Sequence, residues 1–151
     1  MHPSVKRICD DVAKFGWHVV FVAPSSGEAG AEFAFTVGLF QTYQHPELIV
    51  FGLPLKVAHG VLGTCVQRIE EGLLFEDGQV RSDVLNRYNA AFLSVGQSFY
   101  SEYLGSAIGF YETTDFPVLQ LVWPDRNNHF PWEPECEPEF VRSQPILTTT
   151  S

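Results

Sequence analysis

Positive charge is scarce in this chain. Nine Lys and Arg stand against eighteen Asp and Glu, for a formal net charge of −9 and a pI near 4.8. The imbalance is uneven: five basic and seven acidic residues lie up to Phe75, and four basic and eleven acidic residues follow it. A phosphate backbone is held by clustered Lys and Arg, so nucleic acid is not an expected partner. The charge suits a cationic protein partner, or simple solubility. Long apolar runs are also missing. None reaches the roughly 18 residues a membrane-spanning helix requires, so no membrane association is expected. The opening MHPSVKRICDD lacks the apolar stretch and cleavage site of a secretory signal. Cysteines number three, Cys9, Cys65 and Cys136, far apart and without CxxC spacing. That argues against a disulfide framework and for a reducing, cytoplasmic setting. Neither HxH nor HExxH spacing occurs, so no metal site is expected. GxSxG, GxxxxGK[ST] and GxGxxG are absent as well, and no motif names a cofactor.

Apolar and aromatic residues are plentiful. Among 151 residues, 45% are hydrophobic, with 13 Phe and 3 Trp. This supports one domain with a sizeable core over residues 1–147, followed by a frayed tail at 148–151. Val5, Ile8, Cys9 and Val12 recur at helical spacing up to Gly16, and Ala58, Val61, Leu62, Cys65 and Ile69 do so after Pro54. Tyr100, Tyr103, Leu104 and Ile108 suggest a third helix. Strands are expected at Trp17–Val22, Glu32–Leu39, Glu47–Leu53, Arg87–Val95 and Val118–Trp123. Two short ones, Leu73–Phe75 and Gln79–Arg81, flank the turn Glu76–Gly78. APSSGEAGA, residues 23–31, reads as a loop. The elements alternate irregularly, which predicts an α+β domain: a mostly antiparallel sheet or small barrel with about three packed helices.

Two polar stretches interrupt this pattern. The first lies in EFAFTVGLFQTYQHPELIVFGLP, between two apolar runs. Thr36 and Gly38 end one strand, and a Gly there permits close approach of a backbone or a ligand. His45 is held extended by Pro46, and Glu47 begins the next strand. Two residues apart on a strand, His45 and Glu47 would share a face, where they could orient an imidazole for acid–base work or supply two metal ligands. They could equally satisfy local backbone groups at a turn. Gln120, in an otherwise apolar strand, must find partners in loop backbone or a ligand. Asp125 and His129 are remote candidates to join His45. Thr36, Gly38, His45, Glu47, Gln120 and Asp125 thus form the candidate polar site.

The second stretch is FPWEPECEPEF. If extended, Glu133, Glu135, Glu137 and Glu139 face one way and, with Trp132, could meet Arg or Lys of a partner protein. They could also be a solvated edge that blocks sheet-to-sheet association.

GWHVVFV, FAFTVGL, HPELIVFGLP, PVLQLVWPD, FPWEP and SQPIL together resemble an uncharacterised bacterial family, domain of unknown function 4262, over about Asp10 to Leu147. The resemblance picks out Gly16, Trp17, Thr36, Gly38, Leu39, His45, Pro46, Glu47, Gly52, Gln120, Trp123, Pro124, Asp125, Pro131, Trp132 and Gln144. It implies a module without an assigned activity. AFTVGLFQTYQHPELIVFGL also looks like the start of the flavin reductase-like split barrels, whose loop holds a flavin phosphate, although Lys56 is the only basic residue soon after it. The functional expectation is a small acidic binding protein, non-catalytic, engaging a protein partner as an antagonist of a toxin or enzyme, immunity-like. The alternative is a small-molecule or flavin-type domain with its polar site around His45.

Overall fold

The computed structural model describes residues 3–23 and 32–148. Most of the expected loop at 23–31, and all but the first residue of the expected tail at 148–151, therefore lie outside the described residues. Helix α1 (Pro3–Phe15) buries Ile8 and Val12, and Gly16 ends it at φ +92° with its N–H on the Val12 carbonyl at 2.9 Å. Strands β1 (His18–Val22) and β2 (Phe33–Val37) follow, then helix α2 (Leu39–Tyr43), strand β3 (Glu47–Phe51) and helix α3 (Leu55–Glu70). A hairpin pairs β4 (Val80–Leu85) with β5 (Tyr88–Ser94). After one 3-10 turn (Gln97–Phe99) come α4 (Tyr100–Tyr103), α5 (Gly105–Tyr111), β6 (Val118–Val122) and α6 (Pro138–Ser143).

The six strands form one sheet in the order β1-β2-β3-β6-β5-β4. Only β3 and β6 are parallel; every other neighbouring pair is antiparallel. The sheet is open, with β1 and β4 as its edges, so the α+β expectation holds and its barrel variant does not. An open sheet also removes the split-barrel likeness. Helices exceed the expected three because α2 and α6 are short, and short helices carry too little periodicity to read. The third helix breaks at Leu104 into α4 and α5. The expected strand pair around Glu76–Gly78 is corrected as well. The hairpin turns at Asn86–Arg87, where Arg87 takes φ +71°, and Leu73–Phe75 is not a strand.

Helices cover both faces. Leu48 and Val50 of β3 and Leu119 and Leu121 of β6 pack against Ala58, Leu62, Cys65 and Val66 of α3. Ile49, Phe51 and Val118 point the other way, into Ile8 and Val12 of α1, Tyr100 of α4, Ala107 of α5 and Leu104 between the last two. The central strands are therefore buried throughout, as two covered faces require. Burying one such Leu contributes about 1.5–3 kcal/mol. The Cys65 thiol lies inside this core, where burial pushes its pKa up to about 12, so it is an inert packing group.

Candidate functional site

Glu47 opens β3 with its side chain 0% exposed. One strand away, β2 stops at Val37, and Gly38 at φ +110° turns the chain so that α2 starts above the carboxylate. Oε2 accepts the N–H groups of Gly38 at 3.0 Å and Phe40 at 3.1 Å. Oε1 accepts the Leu39 N–H at 3.2 Å and the Thr36 hydroxyl at 2.8 Å. The Tyr111 hydroxyl, from α5, also donates to Oε2. A helix's first turn leaves its N–H groups unpaired and favours negative charge nearby. Glu47 therefore caps α2 from a neighbouring strand. Burial raises the Glu47 pKa, and the donors from Tyr111, Phe40, Thr36 and Leu39 pull it back. Burial, then the Glu47 charge, raises the Tyr111 pKa in turn. These donors fill the roughly four lone-pair sites of a carboxylate and leave none for a substrate. Thr36 is equally occupied, since its oxygen accepts the Leu48 N–H at 2.9 Å.

His45 lies just before β3 and is 2% exposed. Its Nε2 accepts the Phe75 N–H at 3.0 Å, so its Nδ1 carries the proton and donates to the Pro46 carbonyl at 2.8 Å. The ring also meets Phe75 edge-on, 5.8 Å between centroids. Burial lowers its pKa, and the bond to Pro46 opposes that only in part. A neutral imidazole with both nitrogens engaged ties the loop after α3 to the start of β3. The shared face expected for His45 and Glu47 is not formed. His45 stands outside the strand and serves the Phe75 side of the sheet, while Glu47 serves the Tyr111 side.

Gln120 and Asp125 belong elsewhere. Gln120 donates to the Pro145 carbonyl at 2.7 Å and accepts the Leu147 N–H at 2.9 Å. Gln144 repeats the device on Trp123, accepting its N–H at 3.0 Å and donating to its carbonyl at 2.7 Å. Two glutamine amides thus bind the C-terminal segment along β6 as a strand would. Asp125 is 0% exposed and accepts the N–H groups of Asn127 and His129 at 2.9 Å and Glu137 at 3.0 Å. Burial works against its charge, but the His129, Glu137 and Asn127 N–H groups prevail and hold its pKa below the ordinary value. His129 sits 3.7 Å from Asp125, not with His45. Because β3 and β6 run parallel, His45 before one and Asp125 after the other lie at opposite ends of the pair, with roughly 13 Å of strand between. The combined site of Thr36, His45, Glu47, Gln120 and Asp125 does not assemble.

The glutamates after Trp132 are corrected too. Glu133 and Glu135 lie in successive bends and turns, Glu137 precedes α6 and Glu139 is inside it, so no extended row forms. Glu133 accepts the Phe130 N–H, and Arg126 pairs with Glu137 at 3.2 Å and Glu139 at 3.5 Å. Glu135 and half-exposed Trp132, stacked on Phe130 at 5.0 Å, remain at the surface.

Concavity is found away from the polar island. A cleft of about 520 Å³ runs between α3, the β4–β5 hairpin and the Trp123–Arg126 turn. Val57, Val61, Val84, Leu85, Trp123 and Phe140 form its walls, with Lys56 and Arg126 also lining it. On the opposite flank of α3, Trp17, His18, Leu55 and His59 line another cleft, where His18 donates to Asp11 at 2.6 Å and ties β1 to α1. No group of three or more His, Cys, Asp or Glu that could hold a metal ion is present among the described residues. No helix there is long and apolar enough to cross a membrane. Sequence reasoning missed the first cleft; its one signal was Val57, an exposed apolar residue at the start of α3 outside the buried stripe.

The model of the family described as Domain of unknown function (DUF4262) matches residues 11–137. The chain belongs to this family. No curated protein and no solved structure matches it. The family positions singled out from the sequence have clear places in the fold. Gly38, Glu47 and Thr36 build the α2 cap, and Gly52 (φ +80°) lets the Ser143 backbone approach, since a Cβ there would sit 2.9 Å from its oxygen. Trp123 donates its indole N–H to the Phe51 carbonyl at 2.7 Å, and Asp125 organises the turn after it.

Proposed function

We propose that this domain is a non-catalytic binding module whose ligand site is the cleft between α3, the β4–β5 hairpin and the Trp123–Arg126 turn. The observation that carries this reading is the division of labour among its residues. Thr36, His45, Glu47, Gln120 and Asp125 have their polar atoms engaged by the chain itself, whereas the cleft offers open apolar surface. Its volume, 520 Å³, falls within the range of small-molecule sites. It also lies beyond the carboxyl ends of β3 and β6, the parallel pair, where ligands of α/β sheets commonly sit.

A protein partner, cationic and bound at the C-terminal turns, is the second reading. Exposed Trp132 with Glu135 beside it favours that, because a large rigid aromatic is a typical interface anchor. One experiment separates the two: native mass spectrometry of gently purified full-length chain, wild type against Val61→Trp and Trp132→Ala. A bound small mass that Val61→Trp loses by tenfold or more is the expected result. A small mass that Val61→Trp retains would overturn the cleft reading. A stoichiometric protein partner that survives Val61→Trp and is lost with Trp132→Ala would establish the second reading instead.

A further inference from the structure

We infer that the cleft takes a hydrophobic anion: one acidic head on an apolar body, of the medium-chain carboxylate class. This rests on the proposed role of the cleft and adds its chemistry. The walls are aliphatic and aromatic: Val57 and Val61 from α3, Val84 and Leu85 from β4, Trp123 after β6, and Phe140 from α6. Such a surface holds a chain or ring by burial and supplies few hydrogen bonds.

The charged groups decide the sign of the head. Lys and Arg number nine in a chain of net charge −9, yet Lys56 and Arg126 both line this cleft. Arg126 is occupied by Glu137 and Glu139. Among the described residues Lys56 enters no ion pair, so of the two basic residues that line the cleft it is the unpaired one. The acidic wall residue, Asp125, has its carboxylate shared among three backbone N–H groups. A cationic ligand would face Lys56 and Arg126 with no free carboxylate oxygen of Asp125 to receive it. An anion finds one unpaired ammonium at the edge of apolar walls, and an ammonium with a flexible stem can follow a head group at the mouth.

The test is calorimetric titration of the full chain with decanoate and, separately, decanol, for wild type, Lys56→Glu and Val61→Trp. Wild type is expected to bind decanoate at least fivefold more tightly than decanol. Lys56→Glu should weaken decanoate about tenfold and leave decanol within twofold, because Lys56 is exposed and reversing it spares the core. Val61→Trp should weaken both. Equal affinity for the two compounds, or an unchanged decanoate affinity in Lys56→Glu, overturns the anion assignment while leaving a hydrophobic cleft. Failure of wild type to bind either compound overturns the assignment too, and the native mass measurement then decides separately whether the cleft is the ligand site.

Discussion

Glu47→Ala should cost about 3–5 kcal/mol of folding stability, a large part of the roughly 5–15 kcal/mol that holds a domain of this kind together. The side chain is wholly buried and serves five donors on three elements. Truncation leaves the Gly38, Leu39 and Phe40 N–H groups and the Thr36 and Tyr111 hydroxyls without their acceptor. Each unpaired buried donor costs about 1–3 kcal/mol, reduced where water can enter. Loss of the acceptor also removes the hydrogen bonds that tie α2 and α5 to the start of β3. Glu47→Gln keeps the shape and one acceptor oxygen but turns an NH₂ toward N–H donors, so an intermediate loss of about 2–3 kcal/mol is expected. Urea unfolding of the two variants checks this. A Glu47→Ala protein within about 1 kcal/mol of wild type would mean that the cap carries little of the fold's stability.

The second large effect is expected at Gly38. Its φ of +110° is one that L side chains rarely adopt, and an added Cβ would stand 2.8 Å from Val12 Cγ2, 3.0 Å from the Gly16 carbonyl oxygen and 3.2 Å from the Trp17 Cα. Val12, β-branched and buried in α1, has little room to rotate, and the Gly16 and Trp17 backbone cannot easily retreat, because Gly16 ends α1 and Trp17 leads into β1. Gly72 supplies the control, with φ +102° and no atom within 4 Å of its added Cβ. Gly72→Ala should therefore cost only the conformational penalty, about 1–2 kcal/mol. Gly38→Ala should cost about 3–4 kcal/mol, the excess being displaced backbone and a disturbed Glu47 cap. Thermal or urea unfolding of the pair gives the difference directly. Equal losses would show that the contact between α1 and the α2 turn is slack.

Much of the architecture could be read from the residues alone. The stripe from Ala58 to Ile69 and the apolar runs at Val118–Val122 and Leu48–Phe51 specify their elements by period and composition, and all form. What escaped was long-range. Nothing near Glu47 in sequence announces that Tyr111, 64 residues on, donates to it. Nothing near His45 points to the Phe75 N–H. The pairing of His45 with Glu47 assumed an extended chain through Pro46, but the strand begins only at Glu47. The row of glutamates assumed an extended segment where prolines and the Asp125 turn impose bends. Polar residues in apolar surroundings were recognised as needing partners; in this fold the partners are backbone. The cleft escaped for a different reason: its walls, valines and a leucine with Trp123 and Phe140, come from α3, β4, β6's end and α6, and only the exposed Val57 hinted at it locally.

The sharpest measurement is long-range ¹⁵N–¹H NMR of the His45 ring in the intact chain, followed from pH 8 down to pH 5.5. A structural imidazole should show Nδ1 protonated and Nε2 bare, with one tautomer throughout and protonation beginning only below the ordinary range of about 6.5. That result would place the His-Pro-Glu island in the scaffold and leave the α3 cleft to bind. A ring that exchanges tautomers, or that takes up its proton at or above about 6.5, would contradict this and return His45 to the list of acid–base candidates.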